Sequence, residues 1–234
     1  MKIRPKKQHI DPEEVVKAAI ELLDAEGLDQ ITLRQLASKF EVQPPALYWH
    51  FKDKQDLVDD MAQSILKASG LDEIGLPEDT VAWAEWLTSV AYSMRRALLS
   101  HRDGGRVVAG ASFFRAKSLA RLGVLTIAVL NRAGFDPLHA NLGAGTVFDY
   151  VWGYVIEEQA GYGPEVDLAN LANLTKKIEV PSPFGLFDQY GLDPEALARD
   201  RQKLTPDAMF DWGLQLIITG LKSALKESRK SSTK

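Results

Sequence analysis

"ITLRQLASKFEVQPPALYWHFKDKQDLVDDMA", residues 31–62, decides how this chain is read. Thr32 stands where a helix N-cap belongs, and "LRQLASKF" follows with apolar residues at helical spacing. "EV" then reads as a turn, and Pro44-Pro45 fits the first turn of a second helix, where a missing N–H leaves no bond unmade. Asp53 and Asp56 place acids at the start of a third. Two short helices joined by a tight turn are a helix-turn-helix, in which steeply crossing helices need a small residue at their contact; Ala37 supplies it. Leu33 or Leu36, Phe40, Val42, Leu47 and Phe51 fall at core spacing. Glu41 is the misfit, since the turn needs φ > 0 and favours glycine, at a cost of roughly 1 kcal/mol for other residues. Leu47 and Phe51, four apart, face inward and turn Pro45, Ala46, Tyr48, Trp49 and His50 outward or to the rim. Such a cluster suits contact with sugar-phosphate and thymine methyls better than it suits solubility.

Working outward, a helix is expected from Asp11-Pro12 to a stop at Gly27, then the motif, then a helix to about Gly70. "GLDEIGLPE" (70–78) reads as a linker. Longer helical patterns follow at roughly 79–101, 112–133, 137–162 and 206–227, with a Pro/Gly-punctuated connection between the last two. Asp136-Pro137, Asp193-Pro194 and Thr205-Pro206 repeat the cap-and-proline punctuation of Asp11-Pro12. No segment alternates with period two. The fold class is all-α: a three-helix helix-turn-helix unit (1–54), a connecting helix (55–70), and a larger helical bundle (71–234).

Composition narrows the function. The 234 residues contain no cysteine, which excludes disulfides, thiol catalysis and thiolate metal sites. No apolar run is long enough to span a membrane, and the basic start "MKIRPKKQHIDPEE" lacks the apolar stretch of a signal peptide, so a cytoplasmic protein is expected. Net charge is −4, and residues 1–54 hold nine basic and nine acidic side chains, so any DNA contact must be a local patch. Lys2, Arg4, Lys6 and Lys7 form a basic arm that reads equally as a tail or as a DNA contact. The four histidines (9, 50, 101, 139) form no ligand spacing, and no metal or cofactor is expected. Gly143-x-Gly145 lies inside a helix with no strand before it, and helix packing explains it better than nucleotide binding. Asp149, on an otherwise apolar helix, is either a ligand or partner contact or is paired with an arginine across the bundle.

Residues 31–62 resemble the DNA-binding head of the TetR family of transcriptional repressors, closest to its tetracycline-repressor branch, whose recognition helix also reads Leu-Tyr-Trp-His. "ALLSHRDGGRV" (97–107) and "EEQAG" (157–161) resemble that branch's regulatory core. The resemblance implies a ligand-responsive repressor, not an enzyme, that binds a palindromic operator in double-stranded DNA. It implies DNA contacts from Arg34, Pro45, Ala46, Tyr48, Trp49, His50 and Lys54: Arg34 at a guanine edge, Pro45 and Ala46 at base edges or a methyl, the others at phosphates. Pro44 replaces a base-reading amide and Leu33 a hydroxyl residue, which implies a different operator. A homodimer is implied through helices 137–162 and 206–227, with Phe148, Val151, Trp152 and Val155 expected in its seam. A core pocket is implied too, whose filling shifts helix 55–70. The branch's metal-ligating histidine falls on Val108, its other drug-anchoring histidine on Gly70 and its asparagine on Val90; of the magnesium site only Glu157 is retained. The expected effector is therefore a small apolar molecule rather than tetracycline, in a pocket of Met94, Val108, Phe113, Trp152 and Glu157 with Asn141 or Asp149. The alternatives are a DNA-binding protein without an effector, or an enzyme using the core pocket, for which no nucleophile–base pair, metal spacing or phosphate loop speaks.

Overall fold

A computed structural model describes residues 10–161 and 204–231, with 191, 193, 196, 199 and 200 between them. The basic arm and most of the connection after 162 lie outside the described residues. Among the described residues every regular element is helical: α1 Pro12–Glu26, α2 Leu33–Lys39, α3 Pro44–Tyr48, α4 Lys54–Ala68, α5 Trp83–Leu99, α6 Gly104–Ala109, α7 Lys117–Ala133, α8 Pro137–Gln159 and α9 Pro206–Ser231. None of them is long and apolar enough to cross a membrane.

The caps hold where the sequence puts them. Asp11 accepts the Glu13 N–H at 3.0 Å, Asp136 accepts those of Leu138 and His139, and Thr205 accepts that of Ala208 at 3.1 Å. Asp193 accepts the Ala196 N–H at 3.1 Å. Each satisfies donors that the first helical turn leaves open.

Helix α6 was not foreseen, and α7 begins at Lys117 rather than near 112. Gly104-Gly105 opens α6. In the fold it permits close packing: a Cβ on Gly104 would lie 2.1 Å from the Leu98 carbonyl oxygen. Asp103 enters α6 with φ 54°, in the left-handed region.

Helix α8 is the centre of the larger bundle, packed against α5, α6, α7 and α9, while α4 runs from the small unit into it and touches α1, α5, α6 and α7. Gly143 does serve helix packing, since a Cβ there would meet Leu221 of α9 at 3.1 Å. Phe148, Val151 and Val155 are buried inside the protomer. That corrects the seam expected from sequence: side chains already enclosed by their own chain cannot fill an interface. The apolar surface left open on these helices is Leu138 and Leu142 of α8 and Trp212 and Leu216 of α9.

Candidate DNA-contact face and effector groove

The small unit is built from its turn outward. Thr32 Oγ1 accepts the Gln35 N–H at 3.1 Å and starts α2. Ala37, fully buried, leaves room for α3. Glu41 has φ 54°, the left-handed turn conformation expected of it, and Val42 N–H closes the turn onto Ala37 O at 3.0 Å. Gln43 is the N-cap of α3 and Pro44-Pro45 form its first positions. Leu47 and Phe51 are completely buried, with Phe51 N–H bonded to Leu47 O at 2.9 Å.

That anchoring presents the rest of α3 to solvent. Tyr48 is 47% exposed and Trp49 is 88% exposed, while Pro45 and His50 are exposed beside them and Ala46 is half-buried. Arg34 is exposed near the start of α2. Lys54 is exposed as well, but its ammonium donates to Leu28 O at 2.7 Å and so clips α4 to the turn after α1. A nearly bare tryptophan capping the end of a five-residue helix does nothing for packing. Its apolar face is free to cover another surface.

The seven residues expected around a ligand separate in the fold. Phe113, Asn141, Asp149 and Trp152 line one groove of about 340 Å³ between α7 and α8. Met94 and Val108 are completely buried in the packed interior. Glu157 is exposed in the last turn of α8 and does not line the groove. The floor depends on Gly123, because a Cβ there would sit 2.4 Å from the Phe113 ring. Among the described residues Trp152 Nε1 is buried without a hydrogen-bond partner. Asp149 makes no ion pair among the described residues. The carboxylate paired across the bundle is Glu158, which accepts from Arg95 at 2.7 and 3.0 Å while Arg95 also reaches Asp207 at 2.6 Å. Burial alone would lower the Arg95 pKa, but its bonds to Glu158 and Asp207 hold it above the ordinary value.

Sequence reasoning missed the polar joint between α4 and the α6–α7 loop. The Arg115 guanidinium pairs with Asp56 and stands 3.5 Å from Asp59. Asp59 accepts the Ser112 N–H at 2.7 Å, and Gln55 donates to both Asp59 (2.9 Å) and Gly110 O (2.8 Å). The available signal was the spacing of Asp56, Asp59 and Asp60 on a helix that must be half buried, where carboxylates need partners. A second joint ties the end of α1 to the turn before α6. His101 meets Asp24 at 2.9 Å, Arg106 holds Asp29 with two bonds (2.8 and 3.1 Å), and Asp103 accepts the Leu28 N–H at 2.9 Å. The Arg106 bonds hold Asp29 below its usual pKa.

Residues 15–61 match the family description "Bacterial regulatory proteins, tetR family" and residues 76–225 match "Tetracyclin repressor-like, C-terminal domain". The chain is 33% identical over 218 residues to the tetracycline repressor protein class A from transposon 1721 of Escherichia coli, covering 91% of this chain and 90% of the relative. A possible TetR family transcriptional regulator from Streptomyces coelicolor A3(2) superposes with TM-score 0.72 at 30% identity, over 92% of this chain and 100% of that one. A TetR variant from Acinetobacter baumannii AYE in complex with minocycline superposes with TM-score 0.65 at 31% identity, over 93% and 99%. The chain belongs to the TetR family of bacterial transcriptional regulators.

Proposed function

We propose that this ligand-responsive repressor reads a palindromic operator as a homodimer through Arg34, Pro45, Ala46, Tyr48, Trp49, His50 and Lys54, and that an effector with a largely apolar body, seated in the α7–α8 groove, releases it. The observation that carries the reading is the exposure of Trp49 and Tyr48 on a helix pinned by Leu47 and Phe51. A recognition helix enters the major groove with its first turn against base edges, which assigns Pro45 and Ala46 to bases and the later residues to phosphates. Residues 1–54 act as the reading unit, 55–70 as the connecting helix, and 71–234 as the effector-binding and dimerising part. Open apolar surface at Leu138, Leu142, Trp212 and Leu216 supports pairing of α8 and α9 with a second copy. Two-fold pairing would set the two reading helices about 34–36 Å apart, one DNA turn. Such a regulator works in the cytoplasm, beside the DNA.

The relatives are transcriptional regulators, which points away from catalysis. Tetracycline is not the effector in this reading: Val108 and Val90, buried and apolar, stand where the resemblance puts a metal-ligating histidine and a drug-anchoring asparagine. The test is fluorescence anisotropy with the DNA flanking the gene. Saturable binding to one palindrome, weakening steeply with salt, is expected. Binding of equal strength to every sequence would sink the reading. Tetracycline with Mg²⁺ is expected to leave the melting temperature unchanged, and a saturable rise of several degrees would refute its exclusion.

A further inference from the structure

The groove between α7 and α8 has a chemical polarity that an apolar effector leaves unused. Its walls are aromatic: Phe113 from the loop before α7, and Phe148 and Trp152 from α8, whose ring centroids lie 5.9 Å apart at 51°. Among the described residues Asp149 is the one charged group lining it, and no lysine or arginine lines it. Among the same residues Trp152 Nε1 is a buried donor with no acceptor. Thr146, by contrast, is occupied, its hydroxyl donating to Leu142 O at 2.8 Å.

These groups are ordered along one helix. Asp149 and Trp152 stand three residues apart, so they are neighbours on the α8 surface. A cation seated between them is attracted by the carboxylate and by the face of the indole together. An acidic ligand would bring a second negative charge beside Asp149, and a purely apolar one would leave the Trp152 N–H unanswered. Asn141, two turns toward the start of α8, can both donate and accept at the far end of the groove. About 340 Å³ is within the range of small-molecule sites, roughly 300–1,000 Å³.

We infer that the effector of this regulator is a flat aromatic organic cation carrying a hydrogen-bond acceptor, its charge held by Asp149 against the ring of Trp152. The inference rests on the proposed repressor function and names the ligand class of its groove. Its body stays apolar; its charge is what selects it.

The test is isothermal titration calorimetry on the full chain without DNA, using 6-methoxy-N-methylquinolinium and its neutral counterpart 6-methoxyquinoline at a pH where only the first is charged. The cation should bind about five- to tenfold more tightly. Asp149→Asn should bring the two affinities together, and Trp152→Phe should weaken the cation a few-fold. Asp149→Asn should keep the far-ultraviolet circular dichroism of the parent. Equal or stronger binding of the neutral compound, an undiminished preference in Asp149→Asn, or no binding of either compound at millimolar concentration overturns the assignment. Operator binding measured on the same preparations separates the two levels. A protein that binds its operator but shows no cation preference defeats this inference alone, whereas one that binds no operator defeats the repressor reading.

Discussion

The Asp59 carboxylate on α4, 1% exposed, accepts the backbone N–H of Ser112 at 2.7 Å. Ser112 is next in sequence to Phe113, whose ring lies on Gly123 in the floor of the groove. The helix leading out of the reading unit is therefore hydrogen-bonded to the loop that lines the α7–α8 groove proposed to hold the effector. Displacing Phe113 would pull on Ser112 and on Arg115, and through them on Asp59 and Asp56.

Arg115→Ala should accordingly cost stability and operator affinity together. It leaves Asp56 and Asp59, both buried, without the cation they share. Because Arg115 is itself partly exposed, the loss should be about 1–3 kcal/mol rather than the full value of a buried pair. Thermal melting followed by circular dichroism, with operator anisotropy on the same samples, measures both. An unchanged melting temperature would mean that the joint does not hold the loop.

Asp60 gives a pH-dependent counterpart. Burial pushes its carboxyl up, Arg115 pulls it down, and the charges of Asp59 and Asp56 push it up again; the result lies above the ordinary carboxylate value. A raised folded-state pKa means that the charged form is the less favourable one in the fold. Its contribution to stability is thus fully present below the ordinary value and is lost as pH rises through the folded one. Asp60→Asn should therefore raise the melting temperature at neutral pH by about 1–3 °C, with the gain vanishing near pH 4. Melts across that range check the sign, and a variant that melts lower at pH 7 would contradict it.

Trp49→Ala should separate stability from DNA binding. With 88% of the residue exposed, its loss should leave stability within about 0.5 kcal/mol. Operator affinity should fall about tenfold. Arg34→Ala should weaken the operator by roughly 1–3 kcal/mol and relax one base position, which a panel of single-base operator variants reads directly. Tyr48→Ala should weaken all sequences alike.

Substitutions on α8 and α9 should distinguish the interior of the protomer from its interface. Val151→Lys puts a charge at a completely buried site and should unfold the chain. Trp212→Glu changes a side chain that is 69% exposed and should yield a folded monomer. Sedimentation and circular dichroism tell these apart; a Trp212→Glu protein that stays dimeric would move the interface elsewhere.

The reading unit was legible because its determinants are local. Thr32 caps a donor three residues away, Glu41 and Val42 close the turn onto Ser38 and Ala37, and Leu47 stands four residues before Phe51. Periodicity and caps act over one or two helical turns, so a reader of the chain sees both partners at once. Of the residues expected around a ligand, Phe113, Asn141, Asp149 and Trp152 share one groove, because three of them stand on α8, while Met94, Val108 and Glu157 do not line it.

By itself, then, the sequence determined the α-helices other than α6, most of their caps and the outward face of α3, all of them matters of spacing along one helix. Which side of α8 is interior, and which carboxylate meets which cation, was decided only by the tertiary structure. Helix α8 is apolar on several sides, so periodicity could not tell Val151, enclosed by its own chain, from Leu142, left open. Asp59 and Ser112 are 53 positions apart, and Arg95 and Glu158 are 63. Nothing in local spacing pairs such residues: each needs a partner because burial makes an unpaired charge costly, and packing alone brings that partner within reach.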